Sequence, residues 1–245
     1  MFEIVYSIFV WLIILIITLF FTPVFFLTWL LTVLFDRRLL ILHHLSNLWG
    51  GAFTVLIPGW TVKIIGKEKL KSAGNKIIVA NHQSLEDILI MYRMGIPFRW
   101  VSKAEVFKIP IYGWFMRLKG DIKLLRTSKA SIKKMLLDAE KVVNIGCSIA
   151  IFPEGTRSKN GVIGNFKEGA FSIAHKTKTP IIPIVIYGTI PHFIHSNFIF
   201  TGKHRVIMKV LDEIPYSEFE NKEPKVFASE VREIIKKELE QLKMN

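Results

Sequence analysis

The stretch from Val79 to Leu89, VANHQSLEDIL, places a polar cluster between two apolar segments. An apolar run from Lys76 to Ala80 precedes the cluster and is typical of a buried strand, and a helical apolar pattern follows it. On a single helix, His82 and Asp87 would stand about 140° apart around the axis and could not touch. Ser84 is a good N-cap, so the sequence predicts a helix that begins there and leaves His82 in a turn from which its ring can reach Asp87.

A histidine held by a carboxylate in this way is suited to proton transfer. Asp87 would accept a hydrogen bond from one ring nitrogen of His82 and fix its tautomer, and the other nitrogen would be free to take a proton from a substrate hydroxyl. The spacing also fits a simpler arrangement, in which Ser84 and Asp87 only cap the helix and His82 is a polar loop residue. Both interpretations remain open from the spacing alone.

A second stretch, IAIFPEGTRSKNG from Ile149 to Gly161, combines a buried strand with a sharp polar turn. Gly155 would let the backbone approach a ligand closely, Thr156 would add a hydroxyl, and Arg157 would present a planar fork suited to a phosphate. The alternative is a plain β-turn that carries surface charges.

Two further cations follow predicted strands. Lys103 ends the segment FRWVSK, and Arg126 follows the segment KGDIKLL. Working residues of α/β proteins gather in loops beyond the strand ends, so both cations are candidates for a phosphate pocket. Each taken alone could equally be a solvated surface residue.

The segment from residue 60 to 245 alternates short β-rich runs with helical patterns, which predicts one α/β domain with a twisted sheet flanked by helices. The predicted strands are Thr61 to Ile65, Lys76 to Ala80, Phe98 to Ser102, Asp121 to Leu125, Ser148 to Phe152, Ile181 to Ile186 and Arg205 to Val210. The predicted helices cover 84–94, 109–118, 129–144, 167–176 and 224–243.

Residues 1–59 are predicted to form a membrane-anchoring segment. From Ile4 to Phe35 there is no charged residue in 32 positions. A straight helix of that length would reach about 48 Å, against about 30 Å for the hydrocarbon core of a bilayer. Because Thr22 can cap a helix and Pro23 can begin one, we expect a break there and a membrane-embedded helical hairpin. A first arm that spans the bilayer, with the second arm at the far interface, is the alternative.

Charge and cysteine content narrow the function classes. The Lys- and Arg-rich chain after residue 36 predicts a cell-membrane protein whose catalytic domain lies on the cytoplasmic face. The net charge of +13 requires an anionic partner: nucleic acid, anionic membrane lipids, or phosphorylated substrates and acidic carriers. Nucleic acid is disfavoured because the cations are scattered without interleaved aromatic residues. The lone Cys147 excludes multi-cysteine zinc sites, and no metal site is expected.

Four segments together resemble the sequence blocks of the glycerophospholipid acyltransferase family, and they occur in the family's order. They are the NHxxxxD arrangement of Asn81, His82 and Asp87, the GxxxxxR arrangement from Gly120 to Arg126, the FPEGTRS block from Phe152 to Ser158, and the proline-containing Ile182 to Val185. Within the family, the chain is most similar to the bacterial enzymes that make phosphatidate. The resemblance covers little before residue 60 or after residue 190.

The resemblance implies transfer of a fatty acyl group from acyl carrier protein or acyl-CoA to the sn-2 hydroxyl of lysophosphatidate, without a cofactor. It assigns the general base to His82, its orientation to Asp87, and substrate binding to Glu154, Gly155, Thr156, Arg157, Arg126 and Lys103. Two alternatives remain: an acyltransferase that acts on glycerol-3-phosphate or another lysophospholipid, and a non-catalytic membrane lipid-binding protein.

Overall fold

A seven-stranded, mostly parallel sheet forms the centre of the molecule. The structure is a computed structural model that describes residues 2–72, 74–125, 127–158, 161–189, 193–194, 199–200 and 204–244. The strand order is β1-β9-β6-β2-β5-β3-β4, and β6 and β9 form the antiparallel pair. The strands of this sheet are β1 (Trp60–Ile65), β2 (Ile77–Ala80), β3 (Phe98–Lys103), β4 (Ile122–Leu124), β5 (Ser148–Ile151), β6 (Ile181–Tyr187) and β9 (His204–Val210). A short antiparallel pair, β7 (Phe193–Ile194) and β8 (Ile199–Phe200), stands apart from it.

Helices cover both faces of the sheet, each over its own hydrophobic cluster. Along β2, Ile78 and Ala80 enter one cluster while Ile77 and Val79 enter the other, because successive side chains of a strand point to opposite faces. The first cluster is covered by α1 (Phe2–Thr32), α2 (Leu40–Leu56), α3 (Glu86–Tyr92) and α4 (Tyr112–Leu118). The second is covered by α5 (Lys129–Asn144), α6 (Gly169–Thr177) and α7 (Pro224–Met244).

The sheet flanked by helices confirms the predicted fold class, and the N-terminal hairpin takes a different form from the predicted one. Helix α1 continues through Pro23, so the predicted break there is wrong. The Thr22 hydroxyl does not cap a new helix, because it donates to the Thr18 carbonyl at 2.6 Å within the same helix. Such side-chain bonds help a long apolar helix to tolerate proline. The chain turns back after α1, and α1 and α2 form the packed helical pair.

One stripe of α1 packs against the domain along the length of the helix. Val10, Ile17 and Phe25 are buried in the first cluster, and the Phe25 ring stacks on Phe115 of α4 at 4.5 Å between centroids. The remaining surface is apolar and exposed, and the helix is long and apolar enough to cross a membrane. This apolar surface indicates that the protein associates with a membrane through α1.

Candidate active site

The polar segments identified in the sequence meet at one edge of the sheet. Strands β2, β5 and β3 are parallel neighbours, so their carboxyl ends lie side by side. His82 follows β2, the Pro153–Arg157 turn follows β5, and Lys103 ends β3. Residues that are far apart in the sequence are therefore brought to a common cavity, as is usual beyond the strand ends of an α/β sheet.

His82 and Asp87 form the expected pair. The Nδ1 atom of His82 lies 2.8 Å from Oδ2 of Asp87, which is completely buried. A carboxylate can only accept, so Nδ1 carries the proton and the Nε2 atom of a neutral ring is left as a proton acceptor. The imidazole itself is 13% exposed, which keeps it in reach of a substrate while its partner is shielded from water.

The turn before α3 fixes the Asp87 carboxylate. Its Oδ2 atom also accepts from the backbone N–H groups of Gln83 and Ser84, at 2.6 and 2.8 Å, and its Oδ1 atom accepts from the Thr189 hydroxyl at 2.8 Å. Helix α3 begins at Glu86, two residues later than predicted, and Leu85 takes the N-cap position assigned to Ser84. Ser84 still makes the bonds of a capping residue, because its hydroxyl accepts from the Glu86 N–H at 3.3 Å and its own N–H donates to Asp87. No pattern in the sequence indicates the role of Thr189, because this residue lies 102 positions from Asp87.

Asn81 ties the turn to the sheet. Its side-chain amide donates to the Ile186 carbonyl and accepts from the Ile186 N–H, both at 2.8 Å, so it pairs with β6 as a strand residue would. Asn81 is completely buried, and both its amide nitrogen and its amide oxygen are hydrogen-bonded. Its side chain therefore holds the start of the His82 turn in place and does not contact the cavity.

An aromatic stack supports the imidazole from the side. The Phe152 ring lies parallel to His82, with centroids 4.1 Å apart and an interplanar angle of 8°, and Trp100 stacks on Phe152 at 5.0 Å. The stack restricts the ring of His82 while the Asp87 bond fixes its direction. Sequence reasoning did not find this stack, because its three residues come from three different strand ends.

Glu154 occupies a different position from the predicted one. It is buried, and its two carboxylate oxygens accept from the backbone N–H groups of His82 at 2.8 Å and Gly164 at 2.9 Å. Burial raises the pKa of Glu154, and the two backbone bonds oppose that rise. The carboxylate thus braces the two loops that flank the site and does not line the cavity, so the geometry gives no support to a direct phosphate contact.

A cavity of about 490 Å³ opens beside His82 and contains most of the predicted substrate-binding residues. Lys103, Gly155, Thr156 and Arg157 line its polar end. Gly155 has φ +74°, a conformation that disfavours any other residue and makes the turn possible. The apolar wall is formed by side chains from α3 and the residue before it, from β3 and from the segment before α4, which are Leu85, Ile88, Leu89, Val101, Val106 and Ile109. Arg126 lies outside the described residues.

The arrangement suits proton transfer at a lipid-like molecule. It combines a proton acceptor, two cations with a hydroxyl, and an apolar wall in one cavity. Among the described residues, no group of three or more His, Cys, Asp and Glu side chains is placed to hold a metal ion. Lys103, Thr156 and Arg157 are hydrogen-bond donors suited to an anionic head group. The apolar side chains of the wall are suited to contact with an alkyl chain.

Comparison with known proteins gives consistent matches. A sequence model described as "Acyltransferase" matches residues 61–187. A chloroplastic 1-acyl-sn-glycerol-3-phosphate acyltransferase of Brassica napus is 40% identical over 158 residues, which cover 64% of this chain and 45% of the relative. A 1-acyl-sn-glycerol-3-phosphate acyltransferase of Borreliella burgdorferi is 32% identical over 192 residues, which cover 77% of this chain and 75% of the relative.

Among solved structures, the crystal structure of the 1-acyl-sn-glycerophosphate acyltransferase of Thermotoga maritima superposes with a TM-score of 0.80 and 27% identity. The match covers 99% of this chain and 97% of that one, and so includes the two N-terminal helices. The chain spans a little under half the length of its chloroplastic and algal relatives, at 41% to 48%.

Proposed function

Because the chain belongs to the acyltransferase family, we propose that it transfers a fatty acyl group from an acyl thioester to the sn-2 hydroxyl of lysophosphatidate, giving phosphatidate. The observation that carries the proposal is the His82–Asp87 pair at 2.8 Å, at the wall of a cavity that also holds Lys103 and Arg157. The relatives from Brassica napus and Borreliella burgdorferi are both described as acyltransferases of this substrate.

In the proposed reaction, His82 is the general base. Its Nε2 atom takes the proton of the substrate hydroxyl as that oxygen attacks the carbonyl carbon of the thioester. The new C–O bond forms, the C–S bond breaks, and the proton on His82 passes to the departing thiolate. A thiol has a pKa of about 8.5 and leaves readily, so removal of the hydroxyl proton is the more demanding step. Asp87 stabilises the imidazolium that forms between the two proton transfers.

The two ends of the cavity bind different parts of lysophosphatidate. Arg157 and Lys103 bind the phosphate, and the Thr156 hydroxyl adds a donor; Arg126 remains a further candidate for this role. The alkyl chain lies along the apolar wall formed by α3 and the segment before α4. This wall favours an acceptor with a fatty chain over glycerol-3-phosphate, because the smaller molecule would leave that surface uncovered.

Membrane association belongs to the same proposal. Drawing a lipid fully into water costs about 0.8 kcal/mol per methylene group, so a cavity close to the bilayer surface reduces that cost. We infer that α1 lies in one leaflet beside the domain, at the cytoplasmic face of the cell membrane, because Arg37 and Arg38 follow it and its buried stripe contacts the domain throughout. The net charge of +13 favours anionic membrane lipids and an acidic donor, either acyl carrier protein or acyl-CoA.

The test is an acyl-transfer assay on the purified full chain, with lysophosphatidate and glycerol-3-phosphate offered separately. Replacement of the general base in His82→Ala is expected to reduce transfer to lysophosphatidate by about 10³-fold. His175→Ala is the matched control, because His175 lies on α6 over the opposite face of the sheet, where its ring bonds to the Glu220 carbonyl and packs against Tyr216.

Full acyl transfer by a folded His82→Ala variant would show that His82 is not the general base. Transfer to glycerol-3-phosphate alone would show that this molecule, and not lysophosphatidate, is the acceptor of the acyl group. Absence of transfer to both acceptors, with either donor, from a folded wild-type chain would contradict the catalytic proposal.

A further inference from the structure

A second cavity, the α2–α3 groove, is separate from the catalytic one. It lies between the outer face of α2, from His44 to Leu56, and the end of α3 with Lys67, Arg93 and Gly95. Its volume is about 690 Å³, and it shares no lining residue with the cavity at His82. The proposed acyl transfer therefore makes no use of it.

Two cations line the α2–α3 groove. The Arg93 guanidinium donates to the Thr54 hydroxyl at 2.7 Å, and among the described residues its other N–H groups have no further hydrogen-bond partner, which leaves them for a ligand. The ammonium of Lys67 lies 3.4 Å from the position that a Cβ on Gly95 would take. It is therefore at the turn after α3, and Arg93 is two residues before Gly95 in the sequence. The described lining contains no Asp or Glu, so within it both charges lack a carboxylate partner.

Asn47 also lines the groove. The Asn47 side chain has both its Nδ2 and its Oδ1 atoms buried without a hydrogen-bond partner in the described part of the chain. An amide left in this state costs free energy unless a ligand or water bonds to it. Both atoms are closed off from the groove itself, so a ligand there bonds to them when the Asn47 side chain turns outward, which its position in the lining allows.

The α2 side of the α2–α3 groove is apolar and exposed. Leu48, Val55 and Leu56 of α2 are 65%, 70% and 55% exposed, and the face they form belongs to the same helical pair as the membrane helix α1. Apolar side chains exposed at this density beside a membrane-associated helix are suited to contact with lipid chains. The groove thus combines two cations with an apolar face.

We propose that the α2–α3 groove binds one anionic glycerophospholipid of the surrounding bilayer. The lipid phosphate lies at Arg93 and Lys67, its glycerol ester groups bond to Asn47, and its acyl chains run along the exposed face of α2. Charge complementarity selects an anionic lipid, and the apolar face selects a lipid over a free phosphate. This lipid is not the acyl acceptor, because His82 is absent from the groove.

The experiment measures lipid retention, which does not depend on acyl transfer. The full chain in detergent is mixed with equimolar dioleoylphosphatidylglycerol and dioleoylphosphatidylcholine, and the lipid that stays bound is identified by native mass spectrometry. Phosphatidylglycerol is expected to be retained in about one copy, and the Lys67→Gln/Arg93→Gln variant is expected to retain it about tenfold less. The matched control is Lys133→Gln/Lys225→Gln, which removes the same charge from α5 and α7 on the other face of the sheet.

A second variant separates binding from folding. Asn47→Leu removes an unpartnered amide, so the chain is expected to melt at an equal or higher temperature while it retains less phosphatidylglycerol. Equal retention by wild type and both groove variants would overturn the proposal, and so would an equal loss in the control. Retention of phosphatidylcholine to the same extent, or displacement of the lipid by millimolar glycerol-3-phosphate, would contradict an anionic lipid site.

Discussion

Asp87 accepts four hydrogen bonds on its two carboxylate oxygens, and only one of them comes from His82. The others come from the backbone of Gln83 and Ser84 and from the Thr189 hydroxyl. These bonds hold the carboxylate in place without help from the imidazole. At the scale of a single residue, the site is therefore organised around the acid, and the histidine is oriented by it.

Asp87→Asn tests this arrangement, because the amide keeps the shape of the carboxylate and removes its charge. The Asn oxygen can accept from the three donors that Oδ2 serves, and the NH₂ group can face Thr189. The imidazolium would then form beside a neutral group, so the rate of acyl transfer is expected to fall by about 10² to 10³. Turnover of lysophosphatidate with saturating acyl donor measures the effect.

The comparison variant is Thr189→Val, which removes one donor and keeps the charge. A loss of less than about tenfold is expected for it, close to the value of one hydrogen bond. An Asp87→Asn rate that is no lower than the Thr189→Val rate would show that the negative charge has no part in the reaction.

Glu86, next to Asp87, introduces a pH dependence of stability. It is 3% exposed, and burial, followed by the neighbouring Asp87 charge, raises the pKa of Glu86 to about 9. Between the ordinary value of 4.5 and about 9, the folded state holds a proton that the unfolded state has released. Stability therefore falls as the pH rises through this window.

Glu86→Gln should remove that pH dependence, because the amide stays neutral in both states. Relative to wild type, we expect the free energy of unfolding to rise by about 5 kcal/mol at pH 8 and to change little near pH 4.5. Thermal melts of detergent-solubilised protein at the two pH values measure it. The exposed Glu218→Gln is the control, and a Glu86→Gln gain that is the same at both pH values would disprove the proposed protonation.

At the scale of elements, a buried ion pair joins three helix and strand ends. The Lys119 ammonium lies 3.0 Å from Oδ1 of Asp121, and that oxygen also accepts from the Trp100 N–H at 2.9 Å. The Tyr92 hydroxyl accepts from Lys119 and from the Trp100 indole. Burial lowers the pKa of Lys119 and raises the pKa of Asp121, and their mutual attraction opposes both shifts. The network also holds Trp100, the outermost ring of the stack beside His82.

Lys119→Met should leave the Asp121 charge buried without its partner and lower the free energy of unfolding by about 3 to 5 kcal/mol. The double variant Lys119→Met/Asp121→Asn keeps an oxygen for the Trp100 N–H and is expected to recover most of the loss. Lys134→Met, which breaks a 2.8 Å pair at the surface, should cost no more than about 1 kcal/mol. Chemical unfolding followed by tryptophan fluorescence distinguishes the three, and a double variant as unstable as Lys119→Met would contradict the ion-pair account.

At the scale of the whole molecule, the parts predicted from sequence are those determined by local pattern. Strands β2, β5 and β6 are buried on both faces, so they occur as continuous apolar runs with clear ends. The His82–Asp87 contact was also predictable, because five residues of separation require a turn. The resemblance to the acyltransferase blocks assigned His82 and Asp87 to one site independently of the structure.

The parts that were not predicted depend on contacts between distant segments. Nothing near Pro23 indicates that α1 continues, because the packing of Phe25 on Phe115 is decided by α4. The position of Glu154 depends on Gly164 and on the His82 backbone, which only the folded loops bring together. The stack of Trp100, Phe152 and His82 likewise requires the order of β3, β5 and β2 in the sheet.

We expect membrane attachment to depend on the outer face of α1. Val10, Ile17 and Phe25 face the domain, whereas Leu12 and Leu19 are 51% and 60% exposed. Leu12→Asp/Leu19→Asp places two charges on the outer face and leaves the buried stripe unchanged. Each charge costs about 3 kcal/mol in the bilayer, so the variant is expected to move largely from the membrane pellet to the soluble fraction with its fold intact.

The matched control is Ile132→Asp/Leu137→Asp, which makes the same change at two positions of α5 that are 40% and 44% exposed. Because α5 covers the opposite face of the sheet, this control should remain in the pellet. Ultracentrifugation of cell lysates, with circular dichroism of both purified variants, measures location and folding separately. If the α1 variant sediments with the membrane as completely as wild type, the outer face of α1 is not the attachment surface, and the position of the domain beside the bilayer must depend on α2 or α4.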